Sequence, residues 1–194
     1  MNRKQHLFST ILTKMTSLTC ENDVQHIYSK RNSKNRRLTM PETKRLKKFL
    51  DENKVKYEII PHSKAYTAQR VASSTHLSGQ IIVKTVVVKI DGKFALAVLP
   101  ANDRVSFNLF SKAMGTEEIE MASEDEFRTL FPDCETGAMP PFGLLYDLST
   151  YLSTDLQDND LIGFNACNHT EIIRMKFLDY LELVKPKMVH FEIS

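Results

Sequence analysis

From residue 41 onward the apolar positions recur with short, well-punctuated periods. Leu46, Phe49 and Leu50 fall on one helical face, with Pro41 where a first turn tolerates it. Val55, Tyr57 and Ile59 alternate as a strand that Pro61 ends. Thr67 is placed to cap a short helix carrying Ala68, Val71 and Ala72. The clearest pattern runs over 83–90 and 94–99, two apolar stretches flanking Asp91-Gly92, and predicts a β-hairpin. Ser106 opens a helix bearing Phe107, Phe110 and Met114, and Gly115 closes it. Ser123 and Glu126 form a capping box ahead of Phe127, Leu130 and Phe131, with Pro132 as the stop. Short strands are expected around 144–148 and 161–166, and alternation predicts another over 171–175. Asp179 starts a last helix with Leu181 and Val184. Strands and helices mix without a βαβ repeat. The expected fold is α+β, a single domain with a central mixed β-sheet flanked by helices.

Before residue 40 the pattern stops. Residues 1–39 lack a sustained apolar period and hold eight Lys/Arg against Glu21 and Asp23, a net +6 that leaves −4 for the remainder of this +2 chain. The reading is a basic, disordered N-terminal extension over 1–39 and a domain over 40–194. The first twenty residues hold no acid, as in a mitochondrial presequence, but are poor in Arg. A true start at Met40 is the competing account. No apolar run approaches a membrane span, so no membrane partner is expected. Three cysteines, Cys20, Cys134 and Cys167, form no CxxC pair. They imply free thiols in a reducing compartment, and the expected localisation is cytoplasmic.

The chemistry is concentrated in three places. Gly137-Ala138-Met139-Pro140-Pro141-Phe142-Gly143 has no charge, in a chain that is 26% charged. Surface loops are normally polar. One built from Gly, Pro and apolar side chains is either a rigid turn closing a core or a stiff frame that offers main chain to a ligand. Lys84 shares a strand face with Val86, Val88 and Ile90, whereas Lys89 points the other way. It either snorkels to water or waits for a phosphate. Asn165, Cys167, His169 and Glu171 crowd one strand end and turn. That cluster satisfies its own backbone, binds a polar ligand, or pairs a Cys167 thiolate with His169. With Cys134 it would give only scattered metal ligands, so no metal or cofactor is expected. GxSxG, P-loop, GxGxxG and HExxH motifs are all missing from the sequence.

The order of these motifs resembles a known family, the YbaK-type aminoacyl-tRNA deacylases, free-standing relatives of the editing domain inserted in bacterial prolyl-tRNA synthetases. The resemblance rests on Pro61-His62-Ser63, Ala65–Gln69, Lys84–Lys89, Ala97–Ala101, Phe131–Gly143, Phe164-Asn165-Ala166 and His169-Thr170-Glu171, and runs from about Pro41 to Phe191. It implies a catalytic set of Lys84, Gly137 and His169, and substrate contacts from Pro141, Asn165, Ala138 and Met139. The chain departs at Cys167, where the family pattern has Gly. The implied activity is hydrolysis of a mischarged aminoacyl-tRNA carrying a small amino acid such as Ala, Ser or Cys, on tRNA-Pro or a related tRNA. The implied partners are the aminoacylated tRNA acceptor end and, further, an aminoacyl-tRNA synthetase, with no DNA.

Such an ester is already activated, and its neighbouring ribose hydroxyl can assist. The protein need only place ester and water and stabilise the oxyanion. A competing reading keeps the fold as a non-catalytic module that binds aminoacyl-tRNA or a synthetase. Another is a thiol hydrolase built on Cys167 and His169.

Overall fold

Asp91 and Gly92 set the centre of the fold. Both have positive φ, 49° and 73°, the backbone that a two-residue hairpin turn of the right twist requires. The computed structural model describes residues 44–64 and 81–193, all within the unit Met40–Ser194. The basic arm and the capped helix expected near Thr67 lie outside the described residues.

In chain order the described elements begin with α1 (Lys44–Glu52) and β1 (Tyr57–Pro61). The hairpin follows as β2 (Val83–Ile90) and β3 (Lys93–Pro100), then β4 (Arg104–Val105), α2 (Phe107–Met114), β5 (Ile119–Met121) and α3 (Glu124–Phe127). The C-terminal part carries β6 (Ser149–Ser153), β7 (Leu161–Asn165), β8 (Glu171–Lys176), α4 (Phe177–Val184), β9 (Lys187–Val189) and β10 (Glu192–Ile193).

The main sheet has the order β5-β2-β3-β6-β9. Its β5, β2 and β3 are antiparallel neighbours, while β6 and β9 join in parallel, so it is mixed. A three-stranded antiparallel sheet, β1-β8-β7, stands beside it, and β4 pairs with β10. The fold is α+β, with the predicted mixed sheet at its centre.

The core follows from the pattern. Val88, Ile90, Ala95, Ala97 and Leu99 present one face of the hairpin, on which Phe110, Tyr151 and Phe191 are packed. Phe110 stacks on Phe191 at 4.5 Å between centroids and meets Tyr151 edge-on at 5.4 Å, the two favoured aromatic geometries. Ser106 accepts from the Leu109 N–H and Gly115 closes α2 at φ 69°, the two caps the sequence announced.

Two expectations need correction. The apolar run at 144–148 is not a strand. Gly143–Tyr146 is a 3₁₀ helix, Asp147 turns the chain at φ 57°, and the strand starts at Ser149. Gly143 drives this: a Cβ there would lie 2.4 Å from the Leu148 carbonyl oxygen, and its N–H donates to Thr150 Oγ1. The second concerns the helix opened by the Ser123–Glu126 capping box. It makes one α turn, continues as a 3₁₀ helix over Arg128–Leu130, and leaves Phe131 outside.

The two larger sheets meet where β7 runs beside the start of β2. Ile82 and Gly163 form a parallel bridge, and the Gly163 N–H donates to the Ile81 carbonyl at 2.8 Å. A Cβ on Gly163 would come within 2.8 Å of Ile82 Cδ1, so glycine permits this close approach. Lys84 and Asn165 each stand two residues beyond the bridge, on segments running the same way. Among the described residues no helix is long and apolar enough to cross a membrane.

Candidate active site

The Gly/Pro segment is a packed frame rather than a surface loop. Ala138, Met139, Pro140, Pro141 and Phe142 are all buried, whereas Gly137 is exposed at its head. Phe142 anchors the frame, meeting Phe164 at 5.3 Å, Tyr180 at 5.5 Å and Phe49 at 6.0 Å. The Tyr180 hydroxyl donates to the Pro141 carbonyl at 2.9 Å, and burial holds that phenol well above its usual pKa. The bulky apolar side chains therefore fix the backbone from behind and leave its glycine end accessible.

Gly137 adopts φ 84°, the left-handed region that favours glycine. Its N–H donates to Met139 Sδ at 3.2 Å, a weak acceptor, while the Ala138 N–H is committed to the Glu135 carbonyl at 2.9 Å. Of these two donors, the Gly137 N–H is the easier to redirect toward a ligand oxygen.

His169 braces this head. A Cβ on Gly137 would lie 3.6 Å from His169 Cε1, so the imidazole passes directly beneath the glycine. His169 Nε2 is 2.9 Å from the Thr136 carbonyl, which can only accept, so Nε2 carries the proton and donates. The His169 backbone N–H donates to Glu135 Oε2 at 3.3 Å, and the Glu135 N–H donates to the Cys167 carbonyl at 2.9 Å. The turn carrying His169 is latched to the loop by residues 135 and 136. Neither was singled out from the sequence, although both directly precede the loop.

Lys84 and Lys89 divide as the strand alternation requires. Lys89 pairs with Glu120 at 2.6 Å and Glu126 at 2.7 Å, which raises its pKa. Lys84 is paired in register with Leu99 on the core face and makes no ion pair among the described residues. It donates to the Ala101 carbonyl at 3.3 Å, and burial holds its ammonium below the usual pKa, opposed by the Asp103 carboxylate. Asn165 closes β7, and its Oδ1 is buried without a hydrogen-bond partner among the described residues. The structure thus brings Gly137 and His169 into contact and sets Lys84 and Asn165 together beside the sheet junction. Pro141, Ala138 and Met139 act as the frame behind the glycine.

The expectation of free thiols fails for two of the three cysteines. Cys134 and Cys167 are paired as a disulfide with Cα atoms 4.3 Å apart. Spacing hid this, because 33 residues separate them and a loop and a turn bring them together. A bridged, buried Cys167 cannot serve as a nucleophile with His169, which removes the thiol-hydrolase reading for this state. The Tyr146 hydroxyl, another residue the sequence did not mark, lies 3.2 Å from Cys134 Sγ and 3.7 Å from Cys167 Sγ. Burial, then the Asp133 carboxylate, raises its pKa, while Arg45 over its ring at 5.0 Å opposes them. Metal-ligand spacing occurs elsewhere, at Asp155, His190 and Glu192, whose ligand atoms lie within 4.8 Å of one another. There Glu192 already accepts from the Phe191 N–H at 2.8 Å and faces His190 Nδ1 at 3.2 Å.

The profile of the aminoacyl-tRNA editing domain family matches residues 62–183. The chain belongs to this family. The family is named for the editing of aminoacyl-tRNA. The chain is 25% identical over 152 residues to the multifunctional Ser/Thr-tRNA deacylase ProXp-y of Escherichia coli K12, covering 76% of this chain and 90% of that protein. It is 29% identical over 120 residues to the proline–tRNA ligase of Macrococcus caseolyticus, covering 62% of this chain and 20% of that enzyme. The match therefore spans about a fifth of the ligase. A solved structure described as a candidate trans-editing enzyme for prolyl-tRNA synthetase superposes with a TM-score of 0.68, at 20% identity, covering 80% of this chain and 99% of that one. That likeness places the fold of this editing domain among solved examples.

Proposed function

We propose that this editing domain acts in trans on a tRNA carrying a small amino acid such as Ala, Ser or Cys, on tRNA-Pro or a related tRNA. The observation that carries this reading is the head of the Gly/Pro frame. Gly137 is exposed, fixed at positive φ, backed by His169, and its N–H is held by a thioether. An ester carbonyl docked there would take over that N–H as water attacks and negative charge develops on its oxygen. No protein nucleophile is needed, because the two products, free amino acid and free ribose hydroxyl, form by direct addition of water and departure of the ribose oxygen.

Lys84 would meet the terminal phosphate or ribose as a half-buried cation, held in place through the Ala101 carbonyl and near the Asp103 carboxylate. Asn165 Oδ1 offers a buried acceptor to the ammonium or hydroxyl of the aminoacyl group. His169 holds the frame through the Thr136 carbonyl, so its contribution is to the position of Gly137. Ala138, Met139 and Pro141 would set the size limit that admits a small side chain and rejects a larger one. The names of the ProXp-y and proline–tRNA ligase relatives support the hydroxyl-bearing and proline-linked choices of substrate.

The editing domain proper is residues 40–194, with residues 1–39 as an added arm. It works in the cytoplasm on the acceptor end of the tRNA, with an aminoacyl-tRNA synthetase as the further partner. Deacylation of a panel of tRNAs charged with Ala, Ser, Cys, Thr and Pro tests the reading. Hydrolysis of one or more small aminoacyl esters, with Pro-tRNA-Pro spared, is the expected result. Equal hydrolysis of all, or of none, would refute it.

A further inference from the structure

We propose that the Cys134–Cys167 pair is a thiol–disulfide switch that positions His169 against the Gly137 head and thereby sets the editing rate; its effect on rate rests on the proposed function above. The bridge joins the two walls of the site. Cys134 lies immediately before Glu135 and Thr136, which hold His169, and Cys167 lies two residues before His169 itself. Without the bridge, the walls are joined locally by the Glu135 N–H to Cys167 carbonyl bond, the His169 N–H to Glu135 bond and the His169 to Thr136 bond. The covalent link determines how tightly those three are enforced.

Two further observations, and the chemistry of the proposed compartment, point to a switch rather than a fixed staple. Cys167 adopts φ 64°, a left-handed backbone that side chains other than Asn, Asp or Gly seldom take. A residue with a Cβ is placed there, and its sulfur is used in the bridge. In the cytoplasmic setting of the proposed function, protein disulfides are usually transient and redox-sensing. The Tyr146 hydroxyl sits beside both sulfurs and can donate to a sulfur released when the bridge opens, so the reduced pair is also accommodated.

Access sets the order of events. Cys167 is fully buried, whereas Cys134 is partly exposed. The thiolate of a small thiol or dithiol reductant attacks Cys134 Sγ, the protein S–S bond breaks, and Cys167 leaves as a thiolate that takes up a proton. A second reductant thiol then attacks the mixed disulfide at the reductant's sulfur. That step releases the Cys134 thiol and leaves the reductant as its disulfide. Two electrons and two protons pass from reductant to protein, and the reverse sequence closes the bridge.

The test equilibrates the full chain in buffers spanning ratios of oxidised to reduced dithiothreitol. Alkylation mass spectrometry then counts free thiols, single-turnover deacylation gives the rate, and NMR follows the His169 imidazole. Expected is one two-electron transition in which Cys134 and Cys167 become alkylatable together, the His169 resonances shift, and the deacylation rate falls by about fivefold or more. Cys134→Ser and Cys167→Gly should each abolish the dependence on poise, the glycine variant fitting the left-handed backbone. Free thiols at Cys134 and Cys167 at every poise would overturn the proposal, as would a complete transition with unchanged rate and unchanged His169 resonances. If no mischarged tRNA is hydrolysed at any poise but His169 still shifts with the transition, the switch stands and the proposed function falls.

Discussion

Replacing Gly137 with alanine tests the head of the frame directly. At φ 84° an L residue crowds its own carbonyl, at roughly 1–2 kcal/mol. The new methyl would meet His169 Cε1 at 3.6 Å, ordinary van der Waals contact, so no clash adds to that figure. If the backbone holds its angle, the whole cost appears as stability, roughly 2–8 °C in Tm for a domain of this size. If it relaxes instead, the Gly137 N–H swings away from where the ester oxygen would sit, and the Thr136 carbonyl moves off His169 Nε2. Loss of one oxyanion donor typically lowers kcat by about 10²–10³. The assay pairs single-turnover deacylation with tRNA-binding titration and a thermal melt. The expected result is a large loss in the chemical step with binding nearly unchanged. A Tm loss with intact kcat, or equal losses in kcat and binding, would show that the loop only closes the core.

Lys84→Ala should lower kcat/KM by about 10- to 150-fold, the value of a hydrogen bond from a charged donor, without lowering Tm. Because burial depresses the folded ammonium pKa below 10.5, the wild type gains stability as pH rises from the lowered value toward 10.5, a gain that chemical-denaturation midpoints should not show in the variant. Glu126→Gln should flatten the acid limb of stability. Lys89, then the Ser123 N–H and hydroxyl, hold Glu126 at about 2 instead of 4.5, so its contribution is present above 4.5 and lost as pH falls from 4.5 toward 2. Identical slopes for both proteins in urea midpoints across that range would contradict the pairing. Deleting residues 1–39, which carry +6, should leave the melt and the single-turnover rate intact but raise KM and weaken its salt dependence. Superimposable salt series would show that the arm makes no phosphate contacts.

Much of the fold was legible because its strongest signals are local. Asp91-Gly92 between apolar runs, Ser106 with Gly115, and Ser123 with Glu126 each name a backbone state within a few residues, and each is observed. The failures are tertiary. Leu144, Leu145 and Leu148 look like strand residues, but the close packing of Gly143 against Leu148 and Thr150 bends that run, a contact five to seven residues away that no period records. The strand over Ser149–Ser153 has polar ends that conceal it, since its membership is set by pairing with β3 and β9. Likewise β4 and β10 are too short to carry a period and exist only through each other.

The site divides along the same line. The Gly/Pro composition left a rigid turn and a ligand-facing frame both open, and the structure buries its apolar side chains, which carry the backbone with them. Strand alternation separated Lys84 from Lys89, and the structure gives Lys89 its two carboxylates while Lys84 donates to the Ala101 carbonyl. What could not be read was how the pieces are locked together. Thr136, Glu135, Tyr146 and the Cys134–Cys167 pair act across 12 to 34 residues or through backbone atoms, and neither leaves a periodic trace. Placing an activated ester against main chain asks for rigidity rather than for a reactive side chain. The residues that matter most for such a reaction are those that hold a backbone still, and side-chain motifs are poor guides to them. The departure at Cys167 shows the converse. A side chain set where the backbone favours glycine was visible as an anomaly before its bridging partner was known.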